Sequence, residues 1–375
     1  MKIIVAGDFC PCHRVADRFE QNDFYSVLGD IKKITHNFDY SIVNFECPIT
    51  SGIESPIEKC GPNLHCGEKG IEAIKWAGFD CVTLANNHFL DYGKEGVEHT
   101  LEACKNYNID TVGGGMNLQE ASKILYKEID GKTLAIINCC EHEFSIATET
   151  TAGSNPLNPI QQYYAIQDAK IKADNVLVIV HGGHEHYQLP SPRMQEIYRF
   201  FIDAGADAVV NHHQHCFSGH EIYKGKPIFY GLGNFCFDKP CKKNEIWNEG
   251  YMVELYFNAQ QTIFFLIPYE QCNESPCIKI ISDKEKEKFE ETICKLNEII
   301  ADDNNLSIHI NQYYEDCGNY ELSILEPYSN KHLKRLHKIG VLPSFLTGKK
   351  LYSTLNHIVC ESHRDKLLYA LWHQI

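Results

Sequence analysis

The stretch DAVVNHHQH, residues 207–215, ends a short apolar run with three histidines among its last four residues. The apolar residues are typical of a buried strand, and alternate positions on extended backbone face the same side, which pairs His213 with His215. Neutral imidazole is a common ligand of zinc, manganese and iron. The alternative is a polar loop in which one or two histidines satisfy the core. Other parts of the chain are needed to decide between the two.

The bulk composition is that of a globular protein with an acidic surface. The 375 residues suffice for one large domain with an appendage, or for two ordinary domains. The formal charge is −15, from 35 basic and 50 acidic residues. This balance argues against nucleic acids and anionic membranes as partners, because both bind basic surfaces. A local basic pocket for an anionic substrate is still compatible with it.

The amino terminus and the cysteines predict a cytoplasmic location. The first apolar run is too short for a secretory signal, and no stretch approaches the length of a membrane span, so we expect no membrane insertion. The 17 cysteines are scattered singly, as expected of reduced and mostly buried thiols. The segment CPCH at 10–13 has no second Cys/His pair at finger spacing, which argues against structural zinc there.

Short apolar runs alternate with amphipathic stretches over the first two thirds of the chain. The helix-like spacing of apolar residues predicts helices at 67–78, 93–108 and 191–205. Strands are predicted at 2–7, 40–46, 80–85, 133–140, 175–183, 207–212 and 226–235, followed by a hairpin at 251–270. Strands that alternate with helices indicate an α/β architecture whose functional loops follow the strand ends.

The character of the sequence changes after residue 270. A charged amphipathic helix is predicted at 283–303 and another helix at 355–375. We therefore predict one domain at 1–270 and a mostly helical C-terminal extension at 271–375. A cover over the functional crevice is one hypothesis for the role of this extension.

Polar side chains follow five of the predicted strands at the point where each strand ends. Singly they are ordinary turn residues. In an open α/β sheet such ends converge on one crevice, where carboxylates, amides and imidazoles would bind one or two divalent cations. The sequence therefore predicts a metal site. The clusters are Asp8; Asn44 and Glu46; Asn86, Asn87, His88 and Asp91; His181, His184, Glu185 and His186; and the histidines of the opening stretch.

The order of these motifs resembles the calcineurin-like metallophosphoesterases and, more closely, their CapA branch, the capsule or poly-γ-glutamate synthesis proteins. The stretches that carry the resemblance lie within residues 1–240: NFECPIT at 44–50, LANNHFLDYG at 84–93, PSPRMQE at 190–196 and the segment 202–238. The resemblance implies a metallophosphoesterase-like β-sandwich of two mixed sheets flanked by helices. It also implies a metal centre at the strand ends.

Matching positions imply roles for individual residues. One or two ions of manganese, iron or zinc would be held by Asp8, Glu46, Asn87, His181, His213 and His215. His212 and His213 can exchange roles, because HHQH permits two alignments. The implied catalytic residues are His88 as general acid, Asp91 as its partner and Glu185, and the implied substrate-binding residues are Arg193, His184 and His65.

The sequence departs from the family pattern at several of these positions. Cys10 stands where the phosphoesterases have the histidine of Asp-x-His, so one imidazole ligand is missing. Glu46 replaces an aspartate. His65 stands near the position where relatives often have an arginine, which leaves the substrate preference open.

Three functions compete at this point. The first is a metal-dependent hydrolase acting on a phosphoester, and the second is an assembly or hydrolytic factor for γ-glutamyl or other acidic polymers of capsule metabolism. The missing secretion signal counts against the second. A non-catalytic binding or accessory protein is the third, and the retention of every motif but the first histidine counts against it. The expected partner is an anionic small molecule or polymer, and the oligomeric state is not indicated.

Overall fold

The computed structural model describes residues 1–258, 261–325 and 348–372. Two mixed sheets pack face to face and are flanked by helices, so the predicted sandwich is confirmed. The strands are β1 (Lys2–Cys10), β2 (Tyr40–Phe45), β3 (Cys81–Thr83), β4 (Asp110–Val112), β5 (Gly114–Gly115), β6 (Leu125–Ile129), β7 (Lys132–Cys140), β8 (Gly153–Ser154), β9 (Asn175–His181), β10 (Ala208–His212), β11 (His220–Tyr223), β12 (Lys226–Phe229), β13 (Asn234–Phe237), β14 (Glu249–Phe257), β15 (Thr262–Gln271) and β16 (Ile278–Ile280).

Parallel strands form the middle of both sheets. The first sheet has the order β16-β15-β14-β1-β2-β3-β4, with β13 added in parallel beside β1. The second has the order β11-β12-β10-β9-β7-β6, and a separate small pair joins β5 to β8. Parallel pairing places the carboxyl ends of β1, β2 and β3 at one edge, and those of β7, β9, β10 and β12 at one edge of the second sheet.

The residues of β1 alternate between two hydrophobic layers. Ile3 and Val5 belong to the core shared by the two sheets, whereas Ile4 and Ala6 belong to the core beneath the outer helices. A strand buried on both faces reads as a continuous apolar run, which is why KIIVA could be recognised as a strand from the sequence.

Helices cover the outer faces and form the C-terminal extension. They are α1 (His13–Glu20), α2 (Phe24–Leu28), α3 (Ile31–Thr35), α4 (Lys69–Trp76), α5 (Gly93–Asn106), α6 (Leu118–Ala121), α7 (Pro159–Lys172), α8 (Pro192–Ala204), α9 (Asp283–Ala301), α10 (Asp303–Leu325), α11 (Gly348–Val359) and α12 (Glu361–Trp372), with a 3-10 turn at Ile246–Asn248.

Helix α8 begins and ends where its sequence signals predict. The Ser191 side chain accepts a hydrogen bond from the Met194 amide at 3.2 Å, and Pro192 occupies the first turn. Gly205 closes the helix in the left-handed conformation with φ 119°. The prediction at 191–205 is therefore confirmed.

The prediction of a single strand at 226–235 is wrong, because this segment contributes to two strands in different sheets. β12 pairs with β10 in the second sheet, and β13 pairs with β1 in the first. Between them Gly233 has φ 78°, and its carbonyl oxygen would lie 1.9 Å from a Cβ atom at Gly7. Two glycines therefore let the chain cross between the sheets where the backbones almost touch.

The C-terminal extension is helical, as predicted, but its last helix is interrupted. The segment predicted as one helix at 355–375 is divided at Cys360, where α11 has ended and α12 has not begun, and residues 373–375 lie outside the described part. β16 extends the first sheet to Ile280, ten residues past the expected division at 270. That division stays a prediction.

Gly233→Ala should be much more destabilising than Gly225→Ala, although both residues have nearly the same positive φ, 78° and 79°. A Cβ at 233 would lie 2.7 Å from the Glu249 carbonyl oxygen, whereas nothing lies within 4 Å of one at 225. We expect about 1–2 kcal/mol of backbone strain in each variant. Overpacking should cost a further ~1–3 kcal/mol at 233 alone. Urea unfolding measures both, and equal losses would contradict the tight crossing.

Candidate metal centre

The predicted ligands meet where the carboxyl ends of the two sheets adjoin. Asp8 lies in β1, Glu46 directly follows β2, His181 ends β9, and His213 follows β10. All four are buried, with at most 3% of their surface exposed. Apolar strands thus deliver polar side chains into the interior at one place, as the sequence predicts.

Two groups of potential ligand atoms share one carboxylate. Glu46, His181 and His213 form one group, and Asp8, Glu46 and His215 form the other, each with its ligand atoms within 4.8 Å of one another. The Glu46 Oε1 atom lies 3.7 Å from His181 Nε2 and 3.6 Å from His215 Nε2. This is the arrangement expected of a carboxylate that bridges two cations.

The carboxyl group of Glu46 is buried in surroundings that disfavour its charged form. Its exposure is 0%, and neither carboxylate oxygen has a hydrogen-bond partner among the residues that the structure describes. Burial raises the pKa of Glu46, and the negative charges of Asp8 and Glu185 raise it further. A cation between this carboxylate and the imidazoles would remove both penalties, so the residues present fit a divalent metal.

Burial favours the neutral form of two histidines around Glu46, which is the form that binds metals. Burial lowers the pKa of His181, and the neighbouring histidines lower it further. Burial also lowers the pKa of His215 to about 4, although Glu185 and Asp8 act in the opposite direction. Neutral imidazole presents a lone pair to a cation, whereas imidazolium cannot.

The geometry distinguishes His212 from His213. His212 Nε2 lies 3.0 Å from the carbonyl oxygen of Ala6, a contact between the two sheets. His213 Nδ1 instead lies 3.1 Å from His181 Nε2, inside the first group. His213 has φ 92° and His215 has φ 54°, both left-handed, so the loop after β10 turns sharply to aim their side chains inward.

Asparagines hold several of these ligands in place. Asn44 Nδ2 donates to Asp8 Oδ1 at 2.7 Å, and Asn234 Oδ1 lies 2.9 Å from His215 Nδ1. Asn87 Oδ1 lies 3.0 Å from His181 Nε2, so this amide oxygen faces the same group. Such contacts fix ring orientation and tautomer around a metal.

His88 lies beside the centre in a buried polar triad. Its Nδ1 atom is 2.7 Å from Asp91 Oδ2, as expected, and Asp91 also forms an ion pair with Lys59. Lys59 is only 4% exposed. The Leu64 amide donates to the same Asp91 carboxylate at 2.6 Å. With Nδ1 held by Asp91, the Nε2 atom of His88 is the one left to exchange a proton.

Glu185 and His184 are two further expected site residues. Glu185 is exposed; desolvation opposes its ionisation, but His215 and His213 outweigh it and lower the pKa of Glu185 to about 2. His184 is buried, with Nε2 3.2 Å from the Tyr314 hydroxyl of α10.

Two expected substrate-binding residues have partners of their own. Arg193 is paired with the carboxylates of Glu141 and Asp365. His65 is exposed, and its Nδ1 lies 3.1 Å from the Thr50 hydroxyl. Substrate-binding roles for Arg193, His184 and His65 stay predictions.

Sequence reasoning missed Lys59 and Asn234. Lys59 lies in the irregular Gly- and Pro-containing segment between β2 and α4, where no periodicity marks a buried cation. Asn234 lies in the segment 226–235, which the sequence predicts as one strand but which forms two. The only signal was its place after Gly-Leu-Gly, a sequence suited to a change of direction.

The chain matches the family described as bacterial capsule synthesis protein PGA_cap over residues 2–239. It belongs to that family. The resemblance drawn from the motifs is thereby confirmed. The PGA_cap match includes all six predicted ligands and ends just after β13, so it excludes the helices α9 to α12.

The PGA_cap relatives carry names from capsule and polymer synthesis. The chain is 37% identical over 247 residues to capsule biosynthesis protein CapA of Bacillus anthracis, covering 64% of this chain and 60% of the relative. It is 33% identical over 238 residues to PGA biosynthesis protein CapA of Bacillus subtilis (strain 168), covering 62% of each. The chain therefore spans less than two thirds of the length of either relative.

More distant similarities follow. A probable polyglutamine synthesis accessory protein of Mycobacterium tuberculosis is 30% identical over 211 residues, 52% of this chain and 55% of its own length. A solved 5′-nucleotidase precursor from Thermus thermophilus aligns with 79% of this chain and 58% of its own, with 10% identity and a TM-score of 0.42. In the ranges the structure describes, no helix has both the length and the apolar character needed to cross a bilayer. The cytoplasmic location stays a prediction.

Glu46→Gln should stabilise the metal-free protein and abolish its response to metal. The substitution removes a buried carboxyl group whose ionised form has no partner among the described residues. In EDTA, the free energy of unfolding of the variant should therefore exceed that of the native chain by about 1 kcal/mol or more. Added Mn²⁺ should then raise the urea midpoint of the native chain but not of the variant. Glu291→Gln, on the exposed face of α9, is the control and should behave like the native chain. A loss of stability in EDTA would contradict an unbalanced charge at Glu46.

Proposed function

We propose that this PGA_cap protein is a metal-dependent hydrolase that cleaves a phosphoester or a linkage of an acidic polymer in capsule or poly-γ-glutamate metabolism. The observation that carries the proposal is the carboxylate of Glu46, buried, unpartnered among the described residues and shared by two groups of ligand atoms. A structural carboxylate would have hydrogen-bond donors around it, whereas a bridging ligand needs its oxygens free.

The proposed ligands are supported by their burial and their closeness to one another. They are Asp8, Glu46, Asn87, His181, His213 and His215, holding one or two ions of manganese, iron or zinc. A bound divalent cation would polarise a substrate oxygen and bring the pKa of a water molecule towards neutrality. Asn44 and Asn234 orient the ligands and do not bind metal themselves in this proposal.

His88 is the proposed general acid, with Asp91 and Lys59 as positioning residues. Asp91 would accept a hydrogen bond from Nδ1–H of His88, which keeps the ring fixed, and the Nε2–H of the imidazolium form would give its proton to the departing oxygen. Lys59 balances the buried charge of Asp91, so Asp91 need not take the proton itself. Glu185, the third proposed catalytic residue, would act as an ionised carboxylate beside His215 and His213, because its pKa of about 2 makes it a poor proton acceptor.

An anionic substrate suits the buried cation site despite the net charge of −15. The family and the names of the relatives support an acidic polymer, and the histidine-and-carboxylate chemistry supports a phosphoester. Among the remaining expected residues, His65 is the exposed candidate for contacting substrate. Arg193 and His184 would influence substrate binding indirectly, by positioning the C-terminal extension. Their polar atoms contact Asp365 and Tyr314, which belong to its helices.

A non-catalytic accessory role in polymer synthesis is the alternative. The observation that favours it is Cys10, which stands in place of a first-motif imidazole. Its thiol contacts Cys12 and Cys47, and burial raises the pKa of Cys10 well above its usual range. One ion could then be held less tightly than the other, and binding without turnover would follow.

His213→Ala should lose both metal and turnover, whereas His212→Ala should keep both. His213 belongs to a ligand group, but His212 lies outside both groups, so its loss should cost only stability, about 2–4 kcal/mol from a buried cavity and one lost hydrogen bond. Elemental analysis and Mn²⁺-dependent hydrolysis of a phosphodiester test this pair. Unchanged metal content in His213→Ala would refute the ligand set. Metal without turnover on phosphodiesters or γ-glutamyl peptides would favour the accessory role.

His88→Asn should retain metal but lower kcat by about 10²–10⁴-fold on substrates with poor leaving groups. The loss should be much smaller on nitrophenyl esters, whose leaving oxygen needs no proton. Lys59→Met should show the same dependence on the leaving group more weakly, because it acts through Asp91. An equal loss on both kinds of substrate would argue that His88 binds substrate and does not transfer a proton.

A further inference from the structure

A second group of metal-binding side chains lies outside the centre described above. Glu143 follows β7, Cys360 lies between α11 and α12, and His363 lies in the first turn of α12. One potential ligand atom from each lies within 4.8 Å of the other two, and His363 Nε2 is 3.8 Å from Glu143 Oε1. None of the three belongs to the ligand groups around Glu46.

Asn356 of α11 adds an independent sign of a ligand. It is 9% exposed, and its Nδ2 atom lies 3.2 Å from Glu143 Oε1 and 3.1 Å from His363 Nδ1. Its Oδ1 atom is buried and has no hydrogen-bond partner within the described part of the chain. Rotation of the amide would turn that oxygen towards the same group, so Asn356 can supply a fourth donor.

The donor set determines the kind of ion. A thiolate, an imidazole and a carboxylate are all common zinc ligands, and zinc takes four donors in structural sites. Magnesium and calcium take oxygen ligands and would not select a cysteine. The Cys360 side chain is fully buried, which suits a closed structural site better than an open catalytic one.

We propose that Glu143, Cys360 and His363 bind a zinc ion, with Asn356 or water as the fourth donor, and that this ion fastens the C-terminal helices to the domain. Two neighbouring contacts also join the domain to α12. His142 Nδ1 is 2.7 Å from Glu361 Oε1, and Arg193 Nε donates to Asp365 Oδ2 at 3.0 Å. The zinc ion would add a further contact between the domain and α12, and unlike the others it depends on the metal supply.

The site belongs to the extension of this chain and does not depend on the proposed hydrolase activity. Glu143 lies within the family match at 2–239, but Asn356, Cys360 and His363 lie beyond it. Glu141 and Glu143 both lie on the segment that follows β7. This segment also contacts the strand end beside the first centre, because the amide of Gly183, two residues after His181, donates to Glu141 Oε2 at 3.2 Å. A zinc ion that fastens the helices would therefore also fix the position of this segment beside the first centre.

Cobalt(II) substitution of the full chain distinguishes the two sites. The ligands proposed around Glu46 include no sulfur, so only the second site should give a thiolate-to-cobalt charge-transfer band in the near ultraviolet. We expect this band in the native chain and in Cys294→Ser, the control at an exposed cysteine of α9. It should be absent from Cys360→Ser, which should also bind one zinc ion fewer by elemental analysis.

His363→Asn is the second variant, because it retains the thiol. It should show the band only at cobalt concentrations at least about 10-fold higher, as expected when a metal site loses a ligand. Circular dichroism in EDTA should be the same for all the variants. The proposal is overturned if the native chain gives no such band, or if Cys360→Ser retains the band and the full zinc content.

Discussion

The buried carboxylate of Glu46 is the constraint on which the centre depends. Next to Asp8 it concentrates negative charge at the ends of apolar strands, where water cannot screen it. The imidazoles of His181 and His215 do little to compensate this charge, because burial lowers the pKa of both. The surrounding apolar strands supply the stability that keeps these side chains buried together.

The sequence predicted the strand ends well, because two local signals coincide there. In β1, β2, β9 and β10 an apolar run buried on both faces stops at a polar residue, and parallel pairing brings those stops together. Asp8, Glu46, His181 and His213 could thus be found without knowing any contact. The same reasoning failed at 226–235. There the chain passes from one sheet to the other at glycines, while the apolar pattern of the sequence continues unchanged.

Contacts between distant segments could not be predicted. Lys59 is recognisable as a buried cation only once Asp91 is known to lie beside it. The sequence likewise gives no sign that Arg193 forms ion pairs with Glu141 and Asp365. Nothing in the helical pattern of the tail marks Cys360 as an interruption, because the neighbours that matter there, Glu141 and Glu143, lie more than two hundred residues earlier.

The crossing at Gly233 also governs the order in which the protein can assemble during synthesis. β1 is made first, yet its partners β13 and β14 follow the whole second sheet in the chain. Only β2 is available early, so Asp8 lacks the backbone of Gly233 and Asn234 until nearly two thirds of the chain has emerged. The second sheet, made from consecutive segments, can fold before the first is closed. Asn234, which lies 2.9 Å from His215 Nδ1, is thus synthesised after all the proposed ligands, so the centre takes its final form only once the crossing has been made.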